Sequence, residues 1–155
     1  MQKILYAALL IAIVNCSCKK TAQQDEIIEK YGIPLTASQV VPATTSTATA
    51  TVEVIYNKST KEIKYTVRWE KLSAFPYIVL TGPGNKGENA SFLKYTNCPI
   101  PNTMNPAING SCFGSFILDE VKQKEADLLA GKWSVILIAD TRIYPNGELK
   151  GQIEF

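Results

Sequence analysis

Histidine is absent from this chain of 155 residues. Its absence removes the usual general base, and the commonest zinc and copper ligand, from any mechanism. Cysteine is scarce, with four residues in all. An excess of one charge sign is also lacking: 16 basic and 14 acidic residues leave a formal net charge of +2. Those charges are spread along the chain, so no basic stripe marks a nucleic-acid partner. No serine or cysteine stands in a nucleophile elbow, and no carboxylate pair stands out. These absences exclude the common hydrolytic and transition-metal chemistries and point to a protein that is not an enzyme and has no cofactor or metal. Nor is any apolar run long enough to span a bilayer. The run Ile4 to Val14 makes about 16 Å of helix, against a hydrocarbon core of about 30 Å.

That run is nevertheless informative. It follows Lys3 at the N-terminus, the arrangement of a secretory signal with a basic n-region and an apolar h-region. It ends in Asn15-Cys16-Ser17-Cys18-Lys19-Lys20, which resembles a bacterial lipobox, where the cysteine thiol is acylated and becomes the first residue. Ser17 before Cys18 favours Cys18 as the lipidated residue. Cys16, preceded by Ile13 and Val14, is the alternative. Two or three acyl chains, at about 0.8 kcal/mol per buried CH₂, hold a soluble domain on a membrane. Residues 1–18 are therefore expected to be a lipoprotein signal. Residues 19–32, polar and of mixed charge, are expected to be a tether with room for a short helical turn.

Residues 33–155 are expected to form an all-β domain. From Ala48 to Tyr56 the even positions are apolar and most odd ones polar. After the turn cluster Asn57 to Thr60, Ile63, Tyr65, Val67 and Trp69 alternate with Lys64, Thr66, Arg68 and Glu70, which completes a hairpin. Further strands are expected at Tyr77–Thr81, Ser91–Thr96, Cys112–Leu118, Trp133–Ala139 and the C-terminus. The C-terminal strand sets Leu149, Gly151, Ile153 and Phe155 against Glu148, Lys150, Gln152 and Glu154. A short helix is expected from Asp119 to a cap at Gly131, with Glu120 and Lys124 as a solvated pair on it. Seven or eight short strands with regular turns give a β-sandwich or Greek-key barrel.

Several of these segments resemble the chordin-type (CHRD) domain, over about Ile33 to Phe155. The opening Leu35-Thr36-Ala37-Ser38-Gln39-Val40-Val41-Pro42, the element Leu129-Ala130-Gly131, and the closing Pro145-Asn146-Gly147-Glu148-Leu149-Lys150-Gly151-Gln152-Ile153 carry the likeness. The resemblance implies an immunoglobulin-like β-sandwich in an extracytoplasmic protein, and implies little about activity. In one respect the chain departs from the family. Where the family's central strand reads like Ala-His-Ile-His-Gly-Pro, this chain has Ile78-Val79-Leu80-Thr81-Gly82-Pro83, so Val79 and Thr81 fall on the two histidine positions.

Three features are left to weigh. Gly82-Pro83-Gly84-Asn85-Lys86-Gly87 matches Gly-x-Gly-x-x-Gly after a strand, but a dinucleotide loop needs a helix to follow, and a strand follows here. A glycine-rich loop at the end of the sandwich is the expected reading. Cys98 and Cys112 flank a loop rich in Pro and Asn, and in an oxidising compartment a disulfide between them is expected. Among the aromatics, Trp69, Tyr65 and Trp133 follow core periodicity, while Tyr95 and Tyr144 are freer to meet a glycan. The expected function is a membrane-anchored, non-catalytic binding or structural module of the cell envelope with a protein or glycan ligand. The rivals are a metal or redox protein on a superoxide-dismutase-like scaffold and a subunit of an envelope complex.

Overall fold

The alternation in residues 48–70 folds as expected. In the computed structural model, which describes residues 26–96 and 109–155, β2 (Thr49–Asn57) and β3 (Glu62–Glu70) pair antiparallel from Thr49 opposite Glu70 to Asn57 opposite Glu62. The turn between them is held by Asn57, whose Oδ1 accepts the amides of Ser59 at 2.9 Å and Thr60 at 3.1 Å. That local side-chain bond suits asparagine to the site. Val52, Val54, Tyr56, Ile63, Val67 and Trp69 all point inward and are buried. Each large apolar side chain removed from water in this way is worth about 1.5–3 kcal/mol, before entropy is counted.

Two four-stranded antiparallel sheets make the sandwich. The first has the order β1 (Ile27–Leu35), β2, β3, β6 (Gly110–Ile117). The second has the order β5 (Phe92–Thr96), β4 (Tyr77–Thr81), β7 (Trp133–Ile138), β8 (Leu149–Ile153). The inward faces share one core, with Tyr56, Trp133, Leu137 and Leu149 at 0% exposure. Between the sheets the remaining void is about 10 Å³, lined by Val52, Val67, Leu80 and Trp133 among others. That is about one water-sized probe, so this interior is packing rather than a ligand cavity. One side of the sandwich is stitched, because Thr36 and Lys150 exchange backbone bonds of 2.8 and 3.1 Å and so join β1 to β8.

Two expectations about local structure need correction. The segment expected as tether up to residue 32 contributes most of β1, which begins at Ile27. Its pattern is hard to read because it is an edge strand with few buried residues: among residues 27–35 only Ile33 and Leu35 are buried, and its pairing with β2 breaks between Lys30 and Ile33. The expected helix from Asp119 is only α1 (Glu125–Leu129). Asp119 instead accepts the amides of Val121, Lys122 and Gln123, each at 2.9 Å, in a loop that competes with helix. Glu120 lies in that loop, not on the helix, and its carboxylate meets the Glu125 amide at 3.3 Å. Gly131 does end the helix, at φ +68°.

Candidate functional site

The C-terminal strand and the residue before it carry three polar side chains on the face away from the core. Alternation alone would leave them in water. The structure buries them: Glu148 is 1% exposed, Lys150 3% and Gln152 5%. Loops from elsewhere in the chain lie over them and use them as partners. Glu148 accepts the Ser46 hydroxyl at 2.7 Å and the Ser73 hydroxyl at 2.6 Å. It also takes the Ser73 amide at 3.1 Å. The Lys150 ammonium donates to the Glu88 carbonyl. Burial holds its pKa below the ordinary lysine value, with only partial compensation from the Glu88 carboxylate. Gln152 donates to the carbonyls of Gly84 at 3.0 Å and Gly131 at 2.6 Å.

The glycine-rich loop is thereby explained. Instead of projecting from the end of the sandwich, it folds back toward β8. The Gly84 amide bonds the Lys132 carbonyl at 3.0 Å, and the Gly82 amide bonds the Ser91 carbonyl at 2.9 Å. A Cβ on Gly84 would lie 2.7 Å from that of Ala90, so only glycine allows this close return. The amides of Gly82, Gly84 and Asn85 are thus used within the protein, the last bonding the Glu88 carboxylate at 3.0 Å. Thr81, on one of the family's histidine positions, instead shares a buried 2.8 Å hydroxyl bond with Ser134. Val79, on the other, is 5% exposed.

Acidic groups with shifted acidity are likewise tied to structure. Glu125 is held below the usual carboxylate range by the Lys61 ammonium, 2.5 Å away, and by the Tyr56 hydroxyl, 2.8 Å away. Tyr56 is correspondingly raised, first by burial and then by that carboxylate. Asp119 is lowered by the amides of Gln123 and Val121, and Asp140 by Arg142. None of these converges with a nucleophile. Among the described residues no group of three histidine, cysteine, aspartate or glutamate side chains is placed to hold a metal ion.

Three aromatic side chains of the second sheet are left exposed. Tyr77 is 69% exposed, Phe92 51% and Tyr95 59%, all on neighbouring strands β4 and β5. Phe92 and Tyr95 are three apart, which in a regular strand places them on opposite faces. The β4–β5 register shifts between Leu80 and Thr81, and the two rings come to 4.7 Å between centroids. Tyr95 was open to reading from the sequence; Phe92 was not, because the bulge that turns it has no sequence signature. Tyr144, expected to be free like Tyr95, is half-buried, and Tyr65 packs near Phe116 at 6.5 Å. Cys112 is buried opposite Val67. Cys16, Cys18 and Cys98 lie outside the described residues.

A family model, the CHRD domain, matches residues 31–153. The chain belongs to the CHRD domain family. No curated protein and no solved structure matches it. Membership accounts for the residues that carried the likeness. In this CHRD domain the opening segment supplies Thr36 to the stitch with Lys150, and Leu129-Ala130-Gly131 ends α1 and offers a carbonyl to Gln152. The closing motif supplies the buried row Glu148, Lys150 and Gln152. Its polar letters are bonds that hold loops.

Proposed function

We propose that this CHRD domain is a lipid-anchored, extracytoplasmic, non-catalytic module that binds a protein ligand through the aromatic surface of β4 and β5. The observation that carries the reading is the cluster of Tyr77, Phe92 and Tyr95 on adjacent strands, each more than half exposed. Exposed aromatics gathered on a rigid sheet are the usual anchors of protein interfaces. Val79, Ile136 and Ile138 extend the same outward rows, since Val79 pairs with both Tyr95 and Ile136, and Tyr77 pairs with Ile138. The absence of histidine and the structural use of the shifted carboxylates support a non-catalytic role.

Anchoring rests on the signal-like run and the cysteine pair, with Cys18 as the lipidated residue and Cys16 as the alternative. An exported domain meets an oxidising compartment, and there Cys98 and Cys112 close the intervening loop as a disulfide, worth about 3 kcal/mol on chain-entropy grounds. Burial of Cys112 at 2% exposure favours a structural over a reactive cysteine.

Site-specific photo-crosslinking in intact cells tests the binding reading. A photoreactive residue at Tyr95 is expected to give one discrete protein adduct, lost when Tyr77 and Phe92 are changed to Ala. The same residue at Arg68 on the opposite face is expected to give none. Equal adducts at both positions, or none at Tyr95, would refute it. Detergent phase partition of the full chain against Cys16→Ala with Cys18→Ala tests the anchor separately.

A further inference from the structure

Near the stitch of Thr36 and Lys150 lies a cavity of about 140 Å³. Strand β1 lines it from Lys30 to Pro34, the end of β8 lines it with Gln152 and Glu154, and Lys86 joins them from the glycine-rich loop. The register of β1 breaks between Lys30 and Ile33, and Gly32 at φ +64° supplies the conformation that the break needs. Bulges are over-represented next to active sites, where they re-aim side chains. The groups around the cavity carry both signs. Lys30, Lys86 and Glu154 are exposed, and none of them enters an ion pair among the described residues. Gln152 is the deciding group. It is 5% exposed, and its Nε2 gives both hydrogens to the carbonyls of Gly84 and Gly131. Those bonds fix the carboxamide, since a carbonyl can only accept. Its Oε1 has no donor among the described residues, and it is not sealed inside the protein. An acceptor held in place on a buried side chain, with nothing to accept from, calls for a donor from outside.

We infer that this cavity is a site for a small zwitterionic amino acid. The ligand's ammonium group donates to Gln152 Oε1 and faces the Glu154 carboxylate. Its carboxylate takes the ammonium groups of Lys30 and Lys86. A plain anion would leave Gln152 Oε1 and Glu154 without a donor, and a plain cation would leave both lysines without a counter-charge. The volume sets the size. A cavity of about 150 Å³ holds benzene, with about six heavy atoms, so this one admits glycine, alanine or serine and excludes larger side chains. So few heavy atoms, held partly by solvated lysines, give a dissociation constant of about 0.1–1 mM. Strands β8 and β5 are the two outer strands of the second sheet, so the cavity lies across that sheet from Phe92 and Tyr95. The inference rests on neither the protein-ligand reading nor the anchor.

Equilibrium dialysis of the full detergent-solubilised chain against radiolabelled glycine, alanine and serine tests the site. The expected result is one equivalent of alanine per chain, with alaninamide and N-acetylalanine each competing at least about tenfold more weakly than alanine. Lys30→Gln with Lys86→Gln is expected to weaken alanine binding at least about tenfold. Lys71→Gln, just past the far end of β3, is expected to leave it unchanged. Should the lysine pair fold poorly by circular dichroism, Glu154→Gln serves instead, with a loss of at least about threefold. No saturable binding of any of the three amino acids up to about 10 mM overturns the inference. Competition by N-acetylalanine or alaninamide equal to that of alanine overturns it as well, because the site would then read only one of the two charges. So does alanine binding that the lysine substitutions leave unchanged.

Discussion

Strands β3 and β8 carry the same written pattern and live in different surroundings. In both, polar residues alternate with apolar ones, and in both the apolar set faces the core. On β3 the polar set stays at the surface: Arg68 pairs with Glu53 at 2.5 Å, with side-chain exposures of 54% and 30%. Along β8 the polar set Glu148, Lys150 and Gln152 is covered by loops from residues 44–46, 73 and 84–90, and nearly every polar atom there has a fixed partner. Alternation says which face a side chain takes. Whether that face is wet depends on what the rest of the chain lays over it. The energetic consequence is large, because a surface ion pair contributes about 0–1 kcal/mol, whereas stranding buried partners costs about 1–3 kcal/mol each.

Substitutions should expose the difference. Glu148→Ala removes the acceptor for two serine hydroxyls and the Ser73 amide, and is expected to lower unfolding free energy by about 2–4 kcal/mol in urea titration. Gln152→Ala leaves the carbonyls of Gly84 and Gly131 without their side-chain donor. A loss of about 1–3 kcal/mol is expected, with earlier proteolytic cutting in the 84–90 loop. On β3, Arg68→Ala is expected to cost less than about 1 kcal/mol and to leave protease sensitivity unchanged.

Acid should act at three carboxylates that the fold holds in their charged form. Glu125, Asp119 and Asp140 bind protons less readily folded than unfolded. Below pH of about 4.5, the ordinary glutamate value, the unfolded chain therefore takes up protons first and stability falls as pH falls. Glu125→Gln is expected to shallow that slope in urea titrations at several pH values, since the Lys61 and Tyr56 bonds no longer favour a charge.

Much of the fold is legible in the residues. The hairpin of β2 and β3 has a clear period of two, while the strand at Tyr77–Thr81 and the apolar β7 are read from short apolar runs, rich in β-branched residues and bounded by turn signals. Strand β1 is not legible, because an edge strand with two buried side chains has almost no hydrophobic signal. The stretch after Asp119 misleads for a different reason: Val121, Glu125, Leu128 and Leu129 have helical spacing, but the Asp119 carboxylate captures three amides that a helix would have used. The candidate surface is half legible. Tyr95 stands out as an aromatic beyond the core pattern, while Phe92 joins it only through a register shift, and such shifts are set by pairing between strands.

Amide hydrogen exchange at Ser73 tests the central claim, that the polar row of β8 holds the loops over the second sheet. Ser73 lies in a loop outside the strands, and its amide donates to the buried carboxylate of Glu148. The account predicts protection at Ser73 close to that of the β7 amides in the native protein, and loss of that protection in Glu148→Ala. Exchange at Ser73 as fast as in an open loop, or protection unchanged by Glu148→Ala, would contradict it.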